Sequence, residues 1–198
     1  MFGVGLGSAL LTGCMTTNEV MRTAPNSSGA TLVNSSLYIY SFLDLSAPYL
    51  GADMLAELDK QLVDSFTRLT VKTRMVRFME SRTAQRTRAR SISNGAYEMP
   101  VGPLITENIT AERADRVEYR LIVLPKRFTV YGYNQHWEID WQVTDAADNR
   151  MLWSTRTKGD RVVMWSNNEA AANRAKLMVD ALIGEMRASG LFRGLPTT

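Results

Sequence analysis

Ser36 to Leu45 reads SLYIYSFLDL, a run rich in β-branched and aromatic residues that predicts a strand. Ala47-Pro48-Tyr49-Leu50-Gly51 breaks it. Asp53 can then cap a helix whose apolar residues Leu55, Leu58, Leu62, Phe66 and Leu69 recur three and four apart and so share one face. Val71 to Met79 follows as a second strand, with Val71, Thr73, Met75 and Arg77 on one side and Arg74, Val76 and Phe78 on the other. Strand, helix and strand in this order make a β-α-β unit, for which parallel pairing and a right-handed crossover are the rule.

Further along, Ser81 to Pro103 is weakly patterned and holds Asn94-Gly95, Pro100 and Gly102-Pro103, so it reads as irregular chain. Glu107 to Asp115 fits a short helix, and Val117 to Val130 opens a long β region. Trp137, Ile139, Trp141 and Val143 alternate with Glu138, Asp140 and Gln142, the pattern of a half-buried strand. Asp145 to Asn149 is a turn, and Met151, Trp153 and Thr155 mark the inner side of the next strand. Ser166-Asn167-Asn168-Glu169 fits a capping box before a helix with the stripe Ala171, Ala175, Met178, Leu182 and Met186, and Gly190 stops it. The expected fold is α+β: a β-α-β unit, then an antiparallel meander, then a C-terminal helix, all packed on one mixed sheet over residues 31–198.

Composition sets outer bounds. The 198 residues are 45% hydrophobic and 22% charged, values of an ordinary globular chain. A lone cysteine excludes a disulfide framework and a Cys-rich zinc site, and a formal net charge of +3 is too small to argue for nucleic acid. The N-terminus is more telling. Met1 to Cys14 reads MFGVGLGSALLTGC, an apolar stretch too short to span a bilayer that runs into Leu11-Thr12-Gly13-Cys14. No Lys or Arg precedes that stretch, unlike the usual basic start of an export signal.

That tetrapeptide resembles the lipobox of bacterial lipoproteins. The resemblance implies a signal peptide over residues 1–13 and acylation of Cys14. Met15 stands where an Asp would resemble an inner-membrane retention signal, so the expected location is the outer membrane, facing the periplasm. Residues 14–30 are polar and small, broken by Pro25 and Gly29, and are expected to form a lipidated flexible tether. The order of elements over Leu37 to Phe192 in turn resembles the periplasmic fold of the TolB N-terminal domain and the curli-secretion CsgG-like lipoproteins. It rests on Phe42-Leu43-Asp44, on the helix and strand that follow, and on the hairpin from Trp141 to Trp153, where Asn149 stands near the family's usual Gly. These are turn and core signatures, and what they imply is a fold.

Chemistry is sparse. His136 is the one histidine, in a segment that reads as a turn, and no nucleophile-elbow, zincin or Walker motif occurs. Glu138 and Asp140 could serve a carboxylate-based hydrolase, though a solvated strand face explains them equally well. The expected protein is not an enzyme and needs no cofactor or metal. Charge is more informative: Lys72, Arg74, Arg77, Arg82, Arg86, Arg88 and Arg90 face only Glu80 along Lys72 to Arg90. Arg82, Arg86, Arg88 and Arg90 are candidates for an anionic partner, either acidic polysaccharide or lipid headgroups, nucleic acid being implausible for an exported chain. The alternative is a solvated loop paired with Glu107, Glu112 and Asp115. Aromatic residues gather in the C-terminal half, and Trp137 and Trp165 are the candidates for an interface with other envelope proteins or a second copy. The expected function is a structural or accessory subunit of an envelope secretion, export or trafficking assembly. A periplasmic ligand- or lipid-binding carrier is the alternative.

Overall fold

Every residue of Ser36–Ser41 is buried, as a strand requires when both faces of its sheet are covered. A computed structural model describes residues 17–26, 28–78, 90–92, 96–162 and 169–195. Its strands are β1 (Thr17–Ala24), β2 (Ser36–Ser41), β3 (Lys72–Arg77), β4 (Arg90–Ile92), β5 (Ala96–Glu98), β6 (Tyr119–Tyr131), β7 (Asn134–Asp145) and β8 (Met151–Val162). Three helices, α1 (Ala52–Arg68), α2 (Val101–Asp115) and α3 (Ala171–Ala188), pack against them, and two short helical turns over Leu43–Ser46 and Ala47–Leu50 lead from β2 into α1.

The sheet runs β1-β8-β7-β6-β2-β3. β2 is parallel to both neighbours, β3 and β6, whereas β6, β7 and β8 form an antiparallel meander. The β4–β5 hairpin touches the sheet where Ala96 meets Arg127 of β6. The expected α+β architecture is therefore the observed one.

Alternation within the strands divides the core in two. Leu37, Ile39, Leu121, Val123, Ile139, Trp141 and Val143 face α1 and α3, where they meet Leu55, Leu58, Leu62 and Phe66 and, from α3, Ala175, Met178, Leu182 and Met186. Each fully buried leucine or isoleucine contributes about 1.5–3 kcal/mol. Tyr38, Tyr40, Phe42 and Ile122 point the other way, against Leu104 of α2 and Phe78, with Phe42 and Phe78 stacked 5.5 Å apart. α1 ends in a left-handed turn: Thr70 takes a φ of 61° and the Val71 N–H donates to the Phe66 carbonyl.

Several expectations are corrected. The flexible tether expected over residues 14–30 does not hold for Thr17–Ala24, which is strand β1, paired antiparallel with β8; residues 14–16 lie outside the described residues. Thr17, Val20 and Thr23 suit a strand, and the outer edge of β8 offers unpaired backbone groups that the composition of this segment alone does not reveal. Gly102-Pro103 is no break: both lie in the first turn of α2, where proline's missing N–H would have no intrahelical partner. The helix thus starts at Val101 rather than Glu107.

Asn134–Asp145 is one continuous strand, so His136 lies in β7, opposite Asp160, and not in a turn. Met151 is half-exposed because a bulge at the start of β8 turns Leu152 into the core in its place. The Ser166–Asn168 part of the expected capping box lies outside the described residues. Glu169 does not sit in the first turn, since α3 begins at Ala171 with Ala170 at its N-cap. Gly190, in contrast, is the expected stop, with φ 78°.

Candidate functional site

The helices leave one face of β7 and β8 uncovered, and strand alternation puts Glu138, Asp140, Gln142 and Thr144 on it beside Ser154, Arg156, Lys158 and Asp160. Arg156 anchors this face. Its Nε and Nη2 donate to the two Asp140 carboxylate oxygens at 2.5 and 3.0 Å, and Glu138 lies 3.9 Å from Nη1. Asp140 beside it raises the guanidinium's affinity for its proton. Both carboxylates considered for hydrolysis thus converge on one guanidinium. A shallow depression of about 250 Å³ lies here, lined by Ala24, Asp140, Gln142, Ser154, Thr155 and Arg156. Next to it a groove of about 440 Å³ runs under α2, with Val101, Ile105 and Ile122 on its apolar side and Gln142, Thr144 and Asn149 on its polar side.

The groove's wall is pinned by a buried polar network. Arg120 of β6, 1% exposed, donates through Nε and Nη2 to both oxygens of Glu112 on α2 at 2.7 and 2.6 Å. Its Nη1 reaches Asn149 Oδ1 at 2.5 Å and its Nη2 the Ala146 carbonyl at 3.0 Å, so the same guanidinium ties down the β7–β8 turn. The Tyr40 hydroxyl donates to Glu112 at 2.6 Å, and burial together with that carboxylate pushes the phenol far above its ordinary pKa. Asn149 carries a left-handed φ of 62°, a geometry its short amide side chain tolerates.

A second cluster holds the end of α2. Asp115 accepts hydrogen bonds from the Tyr38 hydroxyl and from Arg74, whose guanidinium also lies 5.5 Å from the centre of the Tyr38 ring. These bonds, Tyr38's first, hold the Asp115 carboxyl below the usual carboxylate range. A lowered folded-state pKa stabilises the fold above the unfolded value, about 3.9, and that contribution disappears as pH falls through the folded value. Asp115→Asn should therefore lower the urea midpoint at pH 6, and the gap from wild type should narrow as the pH falls below about 3.9. Asp148, held low by the Arg150 backbone N–H, titrates in both proteins and cancels. An equal gap at every pH would show that Asp115 acts through packing instead of charge.

The residues singled out from sequence fare unequally. Cys14, Arg82, Arg86, Arg88 and Trp165 lie outside the described residues, and Arg90 is placed only as the backbone that begins β4 opposite Glu98. Trp137 is corrected: it is 3% exposed on the core side of β7, covering Gly159 of β8, and so is not a surface contact of this chain. Of the basic run, Arg74 pairs with Asp115 as the solvated-loop alternative had it, and Arg77 pairs with Asp59 and Asp44. Glu112 is taken by Arg120. Burial raises the Asp44 and Asp59 carboxyls despite Arg77.

The aromatic surface lies elsewhere. At the β6–β7 turn Tyr131 is 83% and Tyr133 64% exposed, with Val130 at 52%. Gly132, between the tyrosines, has the φ of 58° that a two-residue hairpin turn needs. The sequence signal was Tyr-Gly-Tyr flanked by two alternating strands. Among the described residues no helix is long and apolar enough to cross a membrane.

No protein-family model and no curated protein matches the chain. Among solved structures it is similar to the PelC dodecamer from Paraburkholderia phytofirmans, with TM-score 0.47 and 10% identity over 92% of this chain and 100% of that one. It is also similar to the lipoprotein GNA1162 from Neisseria meningitidis, with TM-score 0.38 and 11% identity over 78% of this chain and 99% of the other. A third, the hypothetical protein CT253 from Chlamydia trachomatis, gives TM-score 0.39 and 11% identity over 80% of this chain and 98% of that one.

Proposed function

We propose that the chain is an outer-membrane lipoprotein, anchored through Cys14 and facing the periplasm, that serves as a non-enzymatic structural or accessory subunit of an envelope export, secretion or trafficking assembly. The observation that carries this reading is Leu11-Thr12-Gly13-Cys14, with the chain's one cysteine at the acylation position and Met15 after it. Several acyl chains, at about 0.8 kcal/mol per buried CH₂, anchor far more firmly than one. One feature supports contact with copies or partners: among the described residues β3 pairs only on its β2 side, which leaves an open sheet edge. Arg82, Arg86, Arg88 and Arg90 would meet an anionic partner, polysaccharide or lipid headgroup, on the stretch that follows β3.

The test is the intact mass and cell fractionation of the full chain beside Cys14→Ser. Wild type is expected in the outer-membrane fraction with the added mass of acyl chains, and the serine variant in the soluble periplasmic fraction. A wild-type mass without acyl groups would end the lipoprotein reading. Light scattering of the acylated form in detergent then separates an assembly of copies from a monomer that works with other proteins.

A further inference from the structure

The register of β1 fixes which end of the domain the N-terminus leaves. Thr17 pairs with Asp160, and Asp160 pairs with His136, so Thr17 lies at the end of the sheet where β6 turns into β7. Cys14 is three residues further on and can lie no more than about 11 Å from Thr17 at full extension. Tyr133 is likewise three residues beyond His136 in sequence, so the tip projects on the order of 10 Å past the row of Thr17, at about 3.4 Å per strand residue. A chain of that length is long enough to bring the cysteine to the plane of the tip.

We propose that the tip of the β6–β7 hairpin, Val130, Tyr131 and Tyr133, docks on the lipid surface that carries Cys14 and holds the domain upright on the membrane. This rests on the lipid-anchor reading and adds an orientation to it. Tyrosine suits the place, because its ring partitions into the headgroup region while its hydroxyl stays hydrated. Lys126 and Arg127, exposed on β6 behind the tip, and Arg161 on β8 add positive charge toward anionic headgroups. The open face with Asp140 and Arg156 then stands perpendicular to the membrane, and the β7–β8 turn points away from it.

The experiment uses the full acylated chain in vesicles of phosphatidylethanolamine and phosphatidylglycerol. Because acylation occupies Cys14, an introduced cysteine is the one free thiol. Asn134→Cys at the tip and Asp148→Cys in the β7–β8 turn are each labelled with an environment-sensitive fluorophore, and lipids with a headgroup nitroxide are added. The tip label is expected to shift to the blue and lose most of its emission, and the Asp148→Cys label to keep nearly all of its own. Adding Tyr131→Ser and Tyr133→Ser to Asn134→Cys should restore emission while the amount anchored stays constant. Equal quenching at both ends, or tip quenching that survives loss of both tyrosines, overturns the docking. So does a blue shift without quenching by the lipids, which would place a second copy on the tip. Mass measured on the same sample separates the two readings: acylated protein with an unquenched tip refutes the orientation alone, and unacylated protein refutes the anchor and the orientation together.

Discussion

Arg120→Met should cost about 3–5 kcal/mol of folding stability, the expected result of removing one partner from a buried ion pair. The substitution roughly preserves volume, so packing changes little. What changes is Glu112, 3% exposed, which keeps only the Tyr40 hydroxyl and loses both guanidinium donors. The turn also loses its hold at Asn149 and Ala146. Against a typical stability of about 5–15 kcal/mol, such a loss is large, and the urea midpoint should fall well below wild type without a change in slope. The double variant Arg120→Met, Glu112→Leu removes the stranded carboxylate as well and should recover part of the loss, the rest staying with the buried Tyr40 hydroxyl that loses its acceptor. A single variant costing less than about 1 kcal/mol would mean that water reaches the pair.

Gly159→Ala is the second large effect, and its sign runs against the usual expectation. An alanine in place of a strand glycine ordinarily helps, since it restricts the unfolded chain. Here an added Cβ would lie 2.3 Å from Cε2 and Cζ2 of Trp137 and 2.5 Å from its Nε1. The indole is itself 3% exposed, so it has little room to give. The strands must part or the ring must leave its well, at about 1–3 kcal/mol or more. Trp137→Leu alone should also destabilise, by leaving a cavity. Combined with Gly159→Ala it should cost less than the two separate losses together, and thermal or urea unfolding of the four proteins measures that coupling. A Gly159→Ala protein as stable as wild type would refute the close approach.

Trp137 also shows where sequence reading reaches its limit. Alternation with Glu138 sets it on one side of a half-buried strand, but the expected interface role fails because what it covers is a glycine on the next strand, 22 residues away in sequence. Local periodicity made β2, α1, β7 and the α3 stripe legible, because burial of one face leaves its mark every two or every three to four residues. It could not show β1. That strand's paired residues lie at least 130 positions downstream, and polar residues on an edge strand look like a linker. Nor could it find the Arg120 network, since a buried arginine looks like any other charge until Glu112 of α2 and Asn149 of the β7–β8 turn converge on it and Tyr40 of β2 closes on Glu112. The basic run was legible as a run, yet two of its members, Arg74 and Arg77, are committed to Asp115, Asp59 and Asp44.

Strand β1 has a mechanical side as well. Tension applied at the N-terminus enters the fold at Thr17 and is directed along the strand. The hydrogen bonds of an antiparallel pair lie across the strands, so those joining β1 to β8 from Thr17 to Ala24 are sheared together instead of being unzipped one after another. A load drawn sideways would open the same ladder from its end. The fold therefore resists a pull along β1 far better than one across it, and it passes that force through β8 into the sheet and the helices packed on it.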